Sequence, residues 1–144
     1  MIKDKKGQLS LEFILIFAIS LIILTIFTIP LTEIAIGNTL EIADIANTKS
    51  DITKIANGIS EVYSQGQGSK KTINIDSNRS YILKISPKSI STTLTLENGD
   101  TKTIKSSHNY NNINTNINIE KGKNKIIINW KDNLDYLTVQ KWKS

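Results

Sequence analysis

The sequence predicts an α+β protein, with a long N-terminal α-helix packed by its C-terminal half on an antiparallel β-sheet domain. Three features carry that expectation. Residues 13–32 form an unbroken, uncharged apolar stretch. Between Ile45 and Tyr63 the apolar residues recur along one helical face. From residue 72 onward, short runs alternate apolar and polar residues between turn signals.

As a helix, Phe13–Thr32 spans about 30 Å, the thickness of a hydrocarbon core. The hydroxyls of Ser20, Thr25 and Thr28 are tolerable there, because they can bond back to the preceding turn. Lys3, Lys5 and Lys6 lie just before the span, which predicts a cytoplasmic N-terminus and an extracellular chain from Ile34 onward. A cleaved secretory signal fits less well. Its apolar region is about 7–15 residues long, and the chain stays apolar around the loose cleavage match Ala35-Ile36-Gly37. A simple uncleaved anchor explains the length and the lysines but leaves Gly7 and Glu12 without a reason.

Pro30 removes one backbone donor late in the span and is a place for a kink or local opening. From Leu31 to Ala46 apolar residues occur almost all round the helix, at Leu31, Ile34, Ile36, Leu40, Ile42 and Ile45 among others. A helix apolar on every side is buried on every side. Outside a membrane, that means burial among other helices. Beyond Ile45 the pattern narrows to one stripe: Ile45, Ile52, Ile55, Ala56, Ile59, Val62 and Tyr63, opposite Asn47, Ser50, Asp51, Lys54, Asn57 and Glu61. The stripe predicts packing on the C-terminal domain. Gly58 weakens the far end of the helix by about 1 kcal/mol, and Ser64 through Ser69, rich in Gly and Gln, ends it. A continuous helix from Ser10 to Ser64 would reach about 80 Å.

The C-terminal region reads as strands. Ile73 and Ile75, then Tyr81, Leu83 and Ile85, alternate with their neighbours, and Pro87 stops the second run. Ile90–Leu96 and Thr101–Lys105 flank Asn98-Gly99, a two-residue hairpin signal. Ile113, Thr115, Ile117 and Ile119 alternate strictly with asparagines, predicting one buried and one wet face, although the Asn109–Asn118 stretch also has the composition of a low-complexity loop. A turn at Glu120–Asn124 returns the chain through Lys125–Trp130, and Tyr136–Trp142 is a last strand.

Composition excludes several functions. The chain has 144 residues, no cysteine and a formal charge of +5. Without cysteine there are no disulfides, thiolate metal sites or thiol catalysis. The 18 basic residues are spread along the chain and not clustered as a nucleic-acid surface requires. No Ser-His-Asp order, P-loop or dinucleotide glycine pattern is present, so the protein is not expected to be an enzyme. His108, the single histidine, has no ligand partners near it in sequence and is expected to be an exposed loop residue; no metal or cofactor is expected. Glu97, Asp100, Asp132 and Asp135 flank turns and look solvated. Trp130, Tyr136 and Trp142 are either a binding surface or, more commonly for such residues, sheet-packing groups.

The junction before the apolar span is the most specific signal. Lys5-Lys6-Gly7 is followed by Gln8-Leu9-Ser10-Leu11-Glu12-Phe13 and then the span. Glu12 either marks the membrane interface, aided by about 0.3–1 kcal/mol from the helix dipole, or is buried among helices. A buried unpaired charge costs several kcal/mol, so Glu12 would then need a cation. An α-amino group freed by cutting after Gly7, with a pKa near 8, is the nearest one.

This pattern resembles the class III signal peptide of archaeal type IV pilin-like proteins, most closely methanococcal pilins, over about residues 3–32. The resemblance implies that a prepilin peptidase, guided by Lys5 and Lys6, cuts the Gly7–Gln8 bond on the cytoplasmic side. It further implies that Gln8, Glu12 and Phe13 take part in assembly, with Glu12 pairing to the amino terminus of a neighbouring subunit. The implied layout is a leader at 1–7, a helix at 8–64 containing the assembly segment 13–32, a linker at 65–71 and a β domain at 72–144. The implied protein is a structural subunit of an archaeal pilus-like filament serving adhesion. It is a membrane precursor first and an extracellular filament when mature. Its partners are copies of itself, the peptidase, the pilus assembly machinery and the membrane, with no nucleic acid. A monomeric membrane-anchored surface protein and an archaellin-type subunit are the alternatives. Asn78-Arg79-Ser80, the only N-x-Ser/Thr sequon, falls in an expected extracellular turn and marks Asn78 as a glycosylation candidate.

Overall fold

The computed structural model describes residues 5–142, with the backbone alone described at 5–10, 38 and 40. Met1–Asp4, the first part of the expected leader, lies outside the described residues, as do Lys143 and Ser144. One helix, α1 (Lys5–Gln65), precedes seven strands. It begins three residues ahead of the expected 8–64 and ends one residue past it. The chain divides into two units, Met1–Leu40 and Glu41–Ser144.

The first unit is helical throughout its described residues, and the helix passes through Pro30 and Gly37. The second unit contains the rest of α1 and strands β1 (Lys70–Ser77), β2 (Tyr81–Ser86), β3 (Ser89–Thr95), β4 (Thr101–Ser107), β5 (Thr115–Ile119), β6 (Gly122–Asn129) and β7 (Thr138–Lys141). All ladders are antiparallel, but they form two sheets, ordered β1-β6-β7 and β4-β3-β2-β5. β1 starts at Lys70, inside the expected linker 65–71.

The predicted stripe of α1 forms the floor of the core. Ile52, Ile55, Ala56, Ile59 and Val62 are fully buried, against Leu83, Ile85, Ile90, Ile119, Ile126 and Ile128 of the sheets. Alternation explains the match: in β2 Tyr81, Leu83 and Ile85 are buried while Ile82 and Lys84 are exposed. Gly58, expected to weaken the helix, has a packing reason. A Cβ there would lie 2.6 Å from Ile73 Cδ1 and 2.8 Å from Ile128 Cδ1. The glycine leaves room for the side chains of Ile73 on β1 and Ile128 on β6.

Three local expectations change. The Asn98-Gly99 signal does not make a two-residue hairpin. Leu96 N donates to Asp100 O at 2.8 Å, closing the three residues Glu97-Asn98-Gly99, with Gly99 at φ 87°. That is the longer loop in which a type I turn ends in a left-handed glycine. Asn98 Oδ1 accepts from Asp100 N at 3.0 Å and helps hold it. The alternating run from Ile113 starts as a strand only at Thr115, and the last strand covers Thr138–Lys141 and not Tyr136–Trp142. The first delay has a visible cause. Residues 108–110 are tied to the β2–β3 turn by His108 N to Lys88 O at 3.1 Å and Lys88 N to Tyr110 O at 3.0 Å. The β2–β5 register pairs Ile85 with Thr115, and continued backward it sets Ile113 opposite Pro87, which has no N–H to donate.

Candidate functional site

In the first unit, α1 presents apolar surface in every direction. Among the described side chains from Leu11 to Ile36 all are exposed, Phe13 at 74 % and Phe27 at 67 %. The helix is long and apolar enough to cross a membrane by length and composition. Its hydroxyls behave as expected. Ser20 Oγ donates to Ile16 O at 2.8 Å, Thr25 Oγ1 to Leu21 O and Thr28 Oγ1 to Leu24 O at 2.7 Å, and Thr32 and Thr39 repeat the pattern at 2.8 Å. The polar groups of these side chains are therefore satisfied within the helix, leaving methyls and methylenes to the surroundings. Pro30 has no N–H, so the Ile26 carbonyl lacks its helical donor.

Glu12 and Phe13 are both exposed, one turn past the Gly7–Gln8 bond, which lies within α1. The side chains of Lys5, Lys6 and Gln8 lie outside the described residues. The exposed apolar surface continues past the expected span, with Ile34 at 62 % and Ile36 at 55 %. This agrees with the all-round apolar pattern of the sequence.

The geometry of this segment is a processing motif joined to a helix with no apolar partner among the described residues of its own unit. Residues 5–31 match the family model described as class III signal peptide. The signal peptide indicates a type IV pilin-like or archaellin-like precursor processed by a prepilin peptidase. Comparison with curated proteins and with solved structures returned no match. The signal peptide and the apolar helix fit a membrane-anchored precursor.

In the second unit, Asn78 is exposed in the β1–β2 turn, as expected. Its position was legible, but its contact was not. Asn78 Nδ2 donates to Asp44 Oδ1 at 3.1 Å, while Arg79 Nε lies 3.2 Å from Asp44 Oδ2 and Arg79 Nη1 donates to Thr95 O at 3.1 Å. The sequon turn is thus fastened to α1 and to β3. Asp44 sits on the polar side of the helix, where sequence alone assigns only solvation.

His108 corrects an expectation. It is 4 % exposed, not an open loop residue. Burial pushes its pKa below the ordinary 6.5, partly opposed by backbone hydrogen bonds at Ser86 and Ser89. Two further groups are perturbed. Burial holds the Asp51 carboxyl above its ordinary range, opposed by Lys54 at 3.5 Å. Burial first, and Asp51 second, push Tyr81 up to about 12. Tyr81 Oη is buried without a hydrogen-bond partner among the described residues, and Ser77 Oγ donates to Arg79 O at 2.7 Å. Among the described residues no cluster of three His, Asp or Glu side chains is placed to hold a metal. Glu97, Asp100, Asp132 and Asp135 are exposed, as expected for turn residues.

The aromatic residues divide. Trp130 is half-buried, stacked on Tyr63 at 5.8 Å and tilted against Tyr110 at 6.0 Å. Tyr136 and Trp142 are 48 % and 54 % exposed, against the expectation of packing roles. They lie where the two sheets meet without a ladder, a junction that no sequence period announces.

Proposed function

We propose that the chain is the precursor of a structural subunit of an archaeal type IV pilus-like surface filament. The observation that carries this reading is the class III signal peptide at 5–31 leading into an apolar surface exposed on every side. A prepilin peptidase cuts Gly7–Gln8 in the cytoplasm, and the new Gln8 amino group stays mostly protonated at neutral pH. The helix from Leu9 then exchanges lipid for neighbouring copies of itself. Apolar contact replaces apolar contact, so packing and pairing set the register. In this reading Glu12 meets the amino terminus of an adjacent subunit, an interaction worth a few kcal/mol at an effective dielectric near 20, and Phe13 packs beside it. The assembly machinery performs the transfer, and the β unit follows on the extracellular side, where adhesion is its role. The chain is in this view a substrate of an enzyme and not one itself. Glycosylation of Asn78 fits an exposed extracellular turn.

A monomeric anchor requires no exposed apolar surface at Ile34, Ile36 and Ile42, beyond the length a bilayer covers. An archaellin-type subunit shares the signal peptide and is the closer alternative.

The test is N-terminal mass analysis of membrane and sheared-filament fractions. Gln8 is the expected first residue in filaments, and Gly7→Val is expected to leave Met1 or Ile2 on the chain and no filaments. Finding only the unprocessed terminus in both fractions overturns the reading.

A further inference from the structure

The second unit has an unladdered seam. β5 pairs only with β2, and β7 only with β6, so the two sheets meet at β5 and β7 without strand pairing. A groove of about 1040 Å³ runs along this seam, and a second of about 390 Å³ adjoins it. Residues 112–115 line one end together with 136–139, and 115–120 line the other together with 139–142, so the two strands run in the same direction.

An exposed sheet edge ordinarily invites another strand. Here the geometry argues against one. Where Cα atoms of β5 and β7 come within 8 Å, no strand fits between them, because that would need two ladder spacings, about 9.6 Å. A ligand of this groove therefore lies over the seam.

The lining chooses the ligand's chemistry. On one side stand Asn114, Asn116 and Asn118; on the other, Gln140 between the exposed rings of Tyr136 and Trp142. Each primary amide offers both a donor and an acceptor, and all four are exposed. The single carboxylate in the groove, Glu120, is neutralised by Lys141 at 2.9 Å. The Trp142 ring is held from one side by the Lys125 ammonium at 5.5 Å, and Trp142 N donates to Lys125 O at 2.7 Å. Tyr136 and Trp142 are six residues apart, up to about 20 Å along extended backbone. The pattern is two aromatic platforms with a row of neutral amides between them, and the two charged residues of the lining, Glu120 and Lys141, pair with each other.

The geometry points to a binding groove for a neutral oligosaccharide chain along the β5–β7 seam. Sugar rings have an apolar C–H face suited to an aromatic platform and an equatorial rim of hydroxyls that both donate and accept. The electron-rich ring face favours those slightly positive C–H groups. Tyr136 and Trp142 stack the ends of the chain, and the Asn and Gln amides hold the hydroxyls between them. The inference does not depend on filament formation, because every residue it uses belongs to the β unit.

The test uses the full chain in detergent micelles. Cello-, chito-, manno- and xylohexaose are titrated while tryptophan fluorescence is recorded, with an alginate hexamer as the anionic probe. At least one neutral hexasaccharide is expected to bind, more tightly than its trimer. Trp142→Ala is expected to weaken it about tenfold and Tyr136→Ala by a smaller factor. Gln140→Ala, at an exposed position, should also weaken it while circular dichroism stays unchanged. No binding by any neutral hexamer at about 10 mM, equal binding by Trp142→Ala, or binding of the alginate hexamer alone overturns the proposal. Capture of a protein partner at the groove with no response to the sugars does so too.

Discussion

His108 Nδ1 accepts a hydrogen bond from Tyr110 N at 3.2 Å. That bond requires a bare nitrogen, so the ring is neutral and its proton sits on Nε2, which donates to Ser86 O at 3.1 Å. Protonation would turn an acceptor into a donor facing another donor.

The pH dependence follows. Burial holds the folded pKa of His108 below 6.5. Above that value both folded and unfolded chains carry a neutral ring, and the full contribution is present. As pH falls below 6.5 the unfolded chain takes up a proton that the folded chain refuses, so stability drops until the folded pKa is reached. Urea unfolding followed at about pH 7 and about pH 5 is expected to show a lower midpoint at the acid value. His108→Gln, which keeps a donor and an acceptor, is expected to flatten that difference.

Asp51 works in the opposite sense at lower pH. Its carboxyl is raised above 3.8 by burial, so the folded chain protonates first and recovers stability as pH falls toward 3.8. Asp51→Asn is expected to remove that recovery while leaving the step below 6.5 in place. The same denaturation series at lower pH checks it.

Gly58→Ala tests the close approach of α1 to β1 and β6. Helix propensity favours the alanine by about 1 kcal/mol, but overpacking of this kind costs about 1–3 kcal/mol. The expected net effect is destabilisation by about 1 kcal/mol, read from urea midpoints. Pairing it with Ile73→Val, which removes the atom 2.6 Å from the new methyl, is expected to recover part of the loss, since Ile128 Cδ1 still lies 2.8 Å away.

Asp44→Ala removes the acceptor of both Asn78 and Arg79. The ion pair is partly exposed, at 30 % and 20 % side-chain accessibility, which limits its contribution. A loss of about 1 kcal/mol is expected, with faster amide exchange in residues 77–80. Asp44→Asn is expected to keep the Asn78 bond and lose less.

Glu12→Ala separates processing from assembly. The variant is expected to be cut at Gly7–Gln8 like the parent and to yield no filaments in the sheared fraction. Normal filament yield would show that charge pairing does not set the register. An intact-mass measurement on the membrane fraction reads the first half of the prediction and electron microscopy the second.

The sequence and the structure agree where a period repeats against a single face. The Ile52–Val62 stripe and the Tyr81-Leu83-Ile85 alternation each bury one side, so pattern alone located the core. The processing motif was legible because it is contiguous. What was hidden depends on residues distant in the chain. His108 looked exposed because its cover comes from the Ser86–Ser89 turn, 22 residues earlier at the Ser86 contact. Asp44 carries no signal of its own in the sequence, because its partner Asn78 lies 34 residues on. The exposure of Tyr136 and Trp142 reflects a missing ladder between β5 and β7, which no local propensity encodes. Ile113 followed the alternation and is buried, yet it is not in a strand, because the register sets it opposite Pro87, which has no N–H.

Ser20, Thr25, Thr28, Thr32 and Thr39 each direct a hydroxyl to the carbonyl four residues back. These groups keep the same partners whether acyl chains or other helices surround them. A change of surroundings therefore breaks none of these hydroxyl bonds and adds no hydrogen-bond cost through them. In the proposed assembly, these hydroxyls neither hold the segment in a bilayer nor draw it out of one.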